Sequence, residues 1–146
     1  MLTTALSDKV SQYIDGFLQL KSRETMIGAM IVTSRSRNSV LAALRQNAVV
    51  ILDYLDEHPD VFLDQIVKAV GEVRPVAINL TIPLPQKLAS QLNNFASGQV
   101  QLFLESGNSF NAVEIPGGSK FLLIFDEEYY DSFPHQSIIT SVCRTF

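Results

Sequence analysis

The segment Ser34-Arg35-Ser36-Arg37 carries the residue types that hold an anion. Guanidinium groups offer forked donors to a phosphate, and the neighbouring hydroxyls add short, adaptable ones. The segment runs into the strongest helical pattern of the chain. A helix start presents free N–H groups and the positive end of the helix dipole. Lys21, Arg23 and Arg45 extend the positive patch. A small anionic, phosphorylated ligand fits this chemistry, as does a phosphoryl group placed on one of the hydroxyls. The plainer alternative is a solvated loop that ends in an ordinary N-cap at Asn38 or Ser39. No fixed glycine pattern accompanies the arginines, so the segment is not a phosphate-loop motif.

Carboxylates gather in two places. Asp126-Glu127-Glu128-Tyr129-Tyr130-Asp131 combines acids with aromatic rings, and Phe133 follows. Hard oxygen ligands of this kind suit a divalent cation, but the calcium-loop spacing is absent. A basic partner surface is the better fit, with Tyr129, Tyr130 and Phe133 as anchors. The second strip is Asp53, Asp56, Glu57, Asp60 and Asp64 around His58. A carboxylate beside a histidine can do acid–base work, although acids at a helix start commonly just complement its dipole. His135 stands far from His58 in sequence, and no nucleophile-elbow pattern occurs. Cys143 sits beside Arg144 in an apolar terminal segment, where a buried, inert thiol is expected. The letters Gly117-Gly118-Ser119-Lys120 resemble part of a phosphate loop. Strands are expected on both sides of them, so they read as a hairpin turn, with Lys120 guarding a strand end from edge pairing.

The elements that position these residues follow from hydrophobic rhythm. Leu6, Val10, Tyr13, Phe17 and Leu20 recur at helical spacing, which predicts a helix over about 7–20, capped by Ser7. Met26–Val32 is a short apolar run that fits a buried helix or a buried strand; its Met and Ala content tips the reading to helix. Val40, Leu41, Leu44, Ala48, Ile51, Leu52 and Leu55 form one stripe, predicting a helix from Ser39 to Leu55. Pro59 opens the next helix and Gly71 closes it. After Pro75 the period drops to two. Val76–Ile82 reads as a half-buried strand, 85–97 as an intervening helix, and Val100–Glu105, Phe110–Ile115 and Lys120–Asp126 as strands. The last ten residues suit a strand or a short helix.

Strands joined by short turns imply a mainly antiparallel sheet. The expected fold is therefore α+β: about four N-terminal helices packed on a C-terminal antiparallel sheet of four or five strands. With 146 residues and no linker or repeat, one domain over 1–146 is expected.

Composition narrows the function class. The net charge is −4, with 11 Lys+Arg against 15 Asp+Glu. That argues against broad electrostatic binding to nucleic acid or to an anionic membrane. Charged residues are 18% of the chain, fewer than usual, which favours a covered partner face or self-association. The single cysteine, the missing signal-peptide pattern and the shortness of the apolar runs point to the cytoplasm. The leading expectation is a non-catalytic protein-interaction or regulatory module that self-associates or binds a protein partner. The alternative is a small-ligand binder or enzyme acting on an anionic compound through Arg35 and Arg37. No catalytic residue, metal or cofactor is assigned, and whether the chain is an enzyme stays open.

Overall fold

The computed structural model describes residues 2–21, 25–55, 59–70, 74–96, 101–106, 109–114 and 118–145. In chain order the elements are α1 (Leu2–Gln19), β1 (Met26–Val32), α2 (Arg37–Gln46), β2 (Val50–Tyr54), α3 (Pro59–Val70), β3 (Val76–Leu80), α4 (Gln86–Ala96), β4 (Gln101–Ser106), β5 (Ser109–Glu114), β6 (Lys120–Asp126), α5 (Glu127–Asp131) and β7 (Ser141–Arg144). A 3-10 turn at Gln136–Ile138 precedes β7.

The main sheet has five strands in the order β2-β3-β6-β1-β7. Every pairing within it is parallel. The expectation of an antiparallel sheet is thus overturned, and helices are spread along the chain rather than gathered at its N-terminus. Antiparallel pairing is confined to the separate β4–β5 ribbon. Pro116 and Gly117 of the expected hairpin turn lie outside the described residues, but the strands it would join do not pair: β5 pairs with β4, and β6 has β3 on one side and β1 on the other. Lys120 therefore guards no edge. Its ammonium instead donates to the carbonyl of Leu18 at the end of α1, where a cation meets the negative end of the helix.

Two apolar clusters show how the sheet is covered. On one face Ile27, Ala29, Val76, Ile78, Leu80, Phe121, Leu123 and Phe125 pack with Phe62, Leu63 and Ile66 of α3 and Leu88 and Leu92 of α4. On the other, Met30, Val32, Ala77, Leu122 and Ile124 pack with Val10, Ile14 and Phe17 of α1 and Val40, Leu41 and Leu44 of α2. A strand covered on both faces shows no polar alternation. This explains β1, which is a central strand rather than the expected helix, and β3, which is buried at every position rather than half-buried.

The helix expected over 39–55 splits. α2 stops at Gln46, and Val50–Tyr54 becomes the edge strand β2. The amide of Val49 donates to Leu44 and that of Ala48 to Arg45, with Ala48 at φ 57. This is a Schellman closure with alanine where glycine is customary, so the stop carries no sequence punctuation. Among the described residues no helix is long and apolar enough to cross a membrane.

Candidate functional site

The polar residues converge at the carboxyl edge of the sheet. In β2 and β3, Asp53 lies in register with Asn79; in β6, Asp126 follows two residues after Ile124, which is in register with Asn79. Ile51, Ala77 and Ile124 all belong to the α1/α2 face. Counting by twos carries Asp53, Asn79 and Asp126 to that same face, one residue beyond the apolar layer. Arg37, the first residue of α2, lies over them. Its Nη1 donates to Asn79 Oδ1 at 2.5 Å and its Nη2 to Asp126 Oδ1 at 2.7 Å, while Asn79 Nδ2 donates to Asp53 Oδ1 at 2.8 Å. The result is a chain of carboxylate, amide, guanidinium and carboxylate across three strand ends. The Arg37 side chain is 12% exposed and that of Asp126 44%, so the arginine is the held member and the aspartate faces water.

The turn that delivers Arg37 is built by its own hydroxyls. Ser36 is buried. Its Oγ accepts the Thr33 amide at 2.9 Å, Thr33 Oγ1 accepts the Ser36 amide at 3.2 Å, and the Arg37 amide donates to Thr33 O at 3.0 Å. Thr145, also buried, donates from its amide and hydroxyl to Ile31 O and lies 3.5 Å from Ser36 Oγ. The four residues of the anion segment therefore separate. Ser36 braces the turn and Arg37 joins the polar chain, whereas Ser34 and Arg35 stand exposed at its tip. Of the expected extensions, Lys21 and Arg45 are exposed, and Arg23 lies outside the described residues.

The direction in which the chain leaves the strands matters as much as the side chains. β1 and β6 are neighbours, with Val32 in register with Asp126. After β1 the chain enters α2, on the α1/α2 face. After β6 it enters α5, and Phe133 and Ile138 beyond it pack into the α3/α4 face. Adjacent parallel strands whose continuations part to opposite faces form a topological switch point, where open α/β sheets characteristically bind ligands. The Arg37–Asp126 ion pair spans that point.

The acidic segment 126–131 is divided. Asp126 turns to Arg37. Glu127 meets Arg144 at 3.2 Å and Asp131 meets it at 4.0 Å, and the Arg144 guanidinium also lies 5.7 Å from the centre of the Tyr130 ring. Phe133 is buried, with its ring centre 5.3 Å from that of Phe125, and Tyr130 sits edge-on to the same ring. Tyr129 is half-buried, while Glu127 and Glu128 are exposed. Among the described residues no group of three or more His, Cys, Asp or Glu is arranged to hold a metal ion.

Of the described side chains of the second acidic strip, Asp53 joins the polar chain and Asp64 does not. Asp64 pairs with Lys68 one helical turn on, at 3.1 Å. Asp56, Glu57 and His58 lie outside the described residues, as does the side chain of Asp60. His135 has its ring edge-on to Phe133, and its Nε2 is buried with no hydrogen-bond partner among the described residues. Cys143 is half-buried on β7 beside Met30; burial pushes its thiol pKa up, against the pull of Lys9. A thiol so placed stays protonated at neutral pH and is a weak nucleophile.

Asn79 is the residue that sequence reading passed over. It looked like the outward residue of a half-buried strand. Its signal is a lone amide near the end of the run Val76–Leu80, matched by the lone aspartate in Val50–Tyr54. The chain matches no model of a known protein family and none of the characterised proteins with which it was compared.

Proposed function

We propose that this chain is a small-molecule binding module that takes an anionic, phosphorylated compound at the carboxyl edge of its parallel sheet. The observation that carries the reading is the switch point between β1 and β6, with a guanidinium lying across it. Arg35, exposed and without a partner among the described residues, supplies the approach charge. Arg37 has unused N–H groups on a mostly covered guanidinium held by Asn79 and Asp126. Asp53 keeps a carboxylate oxygen beyond its bond to Asn79, suited to the hydroxyls of a sugar or nucleoside. No reaction is assigned to the site. A reducing, cytoplasmic setting suits the single protonated thiol.

A thermal-shift panel of nucleotides and sugar phosphates tests the proposal. One class should raise the melting temperature of the natural chain, and Arg35→Ala should abolish or sharply reduce that rise. No rise with any compound at millimolar concentration ends the reading, and so does a rise unchanged in both Arg35→Ala and Arg37→Lys.

A second reading, association with a protein partner or a second copy, draws on the exposed apolar residues Leu55, Val61 and Val142 and on the exposed acids of α5. It expects dimers or larger species by sedimentation and their loss on charge reversal at Glu128. A monomer at high concentration with no co-purifying protein removes it.

A further inference from the structure

We infer that Asp126 is an exchangeable gate on the anion site: with the site empty its carboxylate holds Arg37, and an arriving anion displaces it onto the start of α5. This inference rests on the anion-site reading above and adds the device that controls it.

Asp126 stands at the N-cap of α5, with φ −74 and ψ 152. That extended backbone is the one from which an N-cap aspartate ordinarily accepts the amides of the second and third helical residues. Its side chain makes no such bond. The carboxylate instead accepts from Arg37 Nη2. One carboxylate thus has two alternative donors, and a side-chain rotation without backbone change suffices to pass between them. The two ends of the guanidinium are held unequally. Nη1 is tied to Asn79, which is itself tied to Asp53 and nearly buried, whereas among the described residues Nη2 is tied to the half-exposed Asp126 alone. Removal of Asp126 leaves the arginine in place with one end free. A phosphate presents several oxygens to that end where Asp126 presents one. The displaced carboxylate then finds the amides of Glu128 and Tyr129, so neither partner is left unsatisfied. Asp126 also opposes the incoming charge, which makes it a specificity-determining residue that selects for strongly charged groups.

The test uses the full chain with inorganic pyrophosphate as the probe. Affinity is read by calorimetry, and the amide resonances of Glu128 and Tyr129 by nitrogen-15 NMR. Asp126→Asn should bind roughly 1.4- to fivefold more tightly, the range set by a half-exposed ion pair of ~0.2–1 kcal/mol. In the natural chain, saturation should move the Glu128 and Tyr129 amides in the direction of a new hydrogen bond. Asp126→Ala should bind pyrophosphate with no such movement. If the natural chain binds but Asp126→Asn binds equally or more weakly, the gate is wrong and the anion site stands. Unmoved Glu128 and Tyr129 amides in the saturated natural chain also refute the gate, without reliance on any variant. If neither chain binds, both readings fall.

Discussion

Arg37 and Arg35 are two residues apart, carry the same charge and face opposite fates, and this contrast can be measured. Arg37→Ala removes the donor to Asn79 Oδ1 in a residue 9% exposed, leaving a buried acceptor without its partner. That loss costs about 1–3 kcal/mol. It also removes the ion pair to Asp126, whose side chain is 44% exposed. Screening limits this contribution to about 0.2–1 kcal/mol. Together the truncation should destabilise the fold by about 1.2–4 kcal/mol. Arg35 is exposed and has no partner among the described residues, so Arg35→Ala should stay within about 0.5 kcal/mol of the parent. The assay is urea unfolding followed by far-ultraviolet circular dichroism, since the chain has no tryptophan to report. With a urea slope of about 1–3 kcal/mol per molar, the Arg37→Ala midpoint should fall by roughly 1 M. Arg37→Lys, able to reach one acceptor but not both, should fall between the two. If Arg37→Ala and Arg35→Ala have midpoints that agree within error, the polar chain across the strand ends contributes nothing and the reasoning fails.

Other sites carry sharp expectations. Ala48→Gly should raise stability by roughly 0.5–1 kcal/mol, because Ala48 sits at φ 57 in a helix closure that glycine adopts without a steric cost; a loss of stability in the same unfolding assay would contradict that backbone. A Cβ on Gly28 would lie 2.8 Å from the Tyr13 hydroxyl, 2.9 Å from Phe17 and 3.0 Å from Leu122. Gly28→Ala should therefore cost about 1–3 kcal/mol, and Tyr13→Phe should recover part of that in a double-mutant cycle. Burial raises the Tyr13 pKa from 10.0 to about 12. The folded state binds that proton more tightly than the unfolded chain does. Its contribution is thus fully present below pH 10 and lost between pH 10 and about 12, on the order of 2–3 kcal/mol. Tyr13→Phe should flatten that part of the alkaline profile. Phe133→Ala should cost about 3–5 kcal/mol through the cavity it leaves against Phe125; an unchanged melting temperature would show the ring outside the core.

What was legible tracks what is local. The start of α3 at Pro59, the helix Gln86–Ala96 and the strands β3 and β6 follow from nearest-neighbour chemistry, through proline geometry and the placement of apolar residues. The break between α2 and β2 was hidden because Ala48 occupies a glycine position and Val49–Leu55 continues the apolar stripe. Met26–Val32 was misread because a strand buried on both faces offers no alternation to see. At the site, Arg37 and Asp126 were visible as residue types, but the reason they matter was not. They are 89 positions apart and meet only because β1 pairs with β6.

The sequence alone determined a mixed helix-and-strand chain, most of its element positions, and two groups of charged residues able to do chemistry. Strand order and direction were decided only in three dimensions. Parallel pairing depends on which crossover buries which face, a property of helices and strands far apart in the chain. That choice brings Asp53, Asn79 and Asp126 to one end of one face, gives Arg37 its partners, and sends the chain after β1 and β6 to opposite sides. Local rhythm records what a segment wants to bury; it does not record against what.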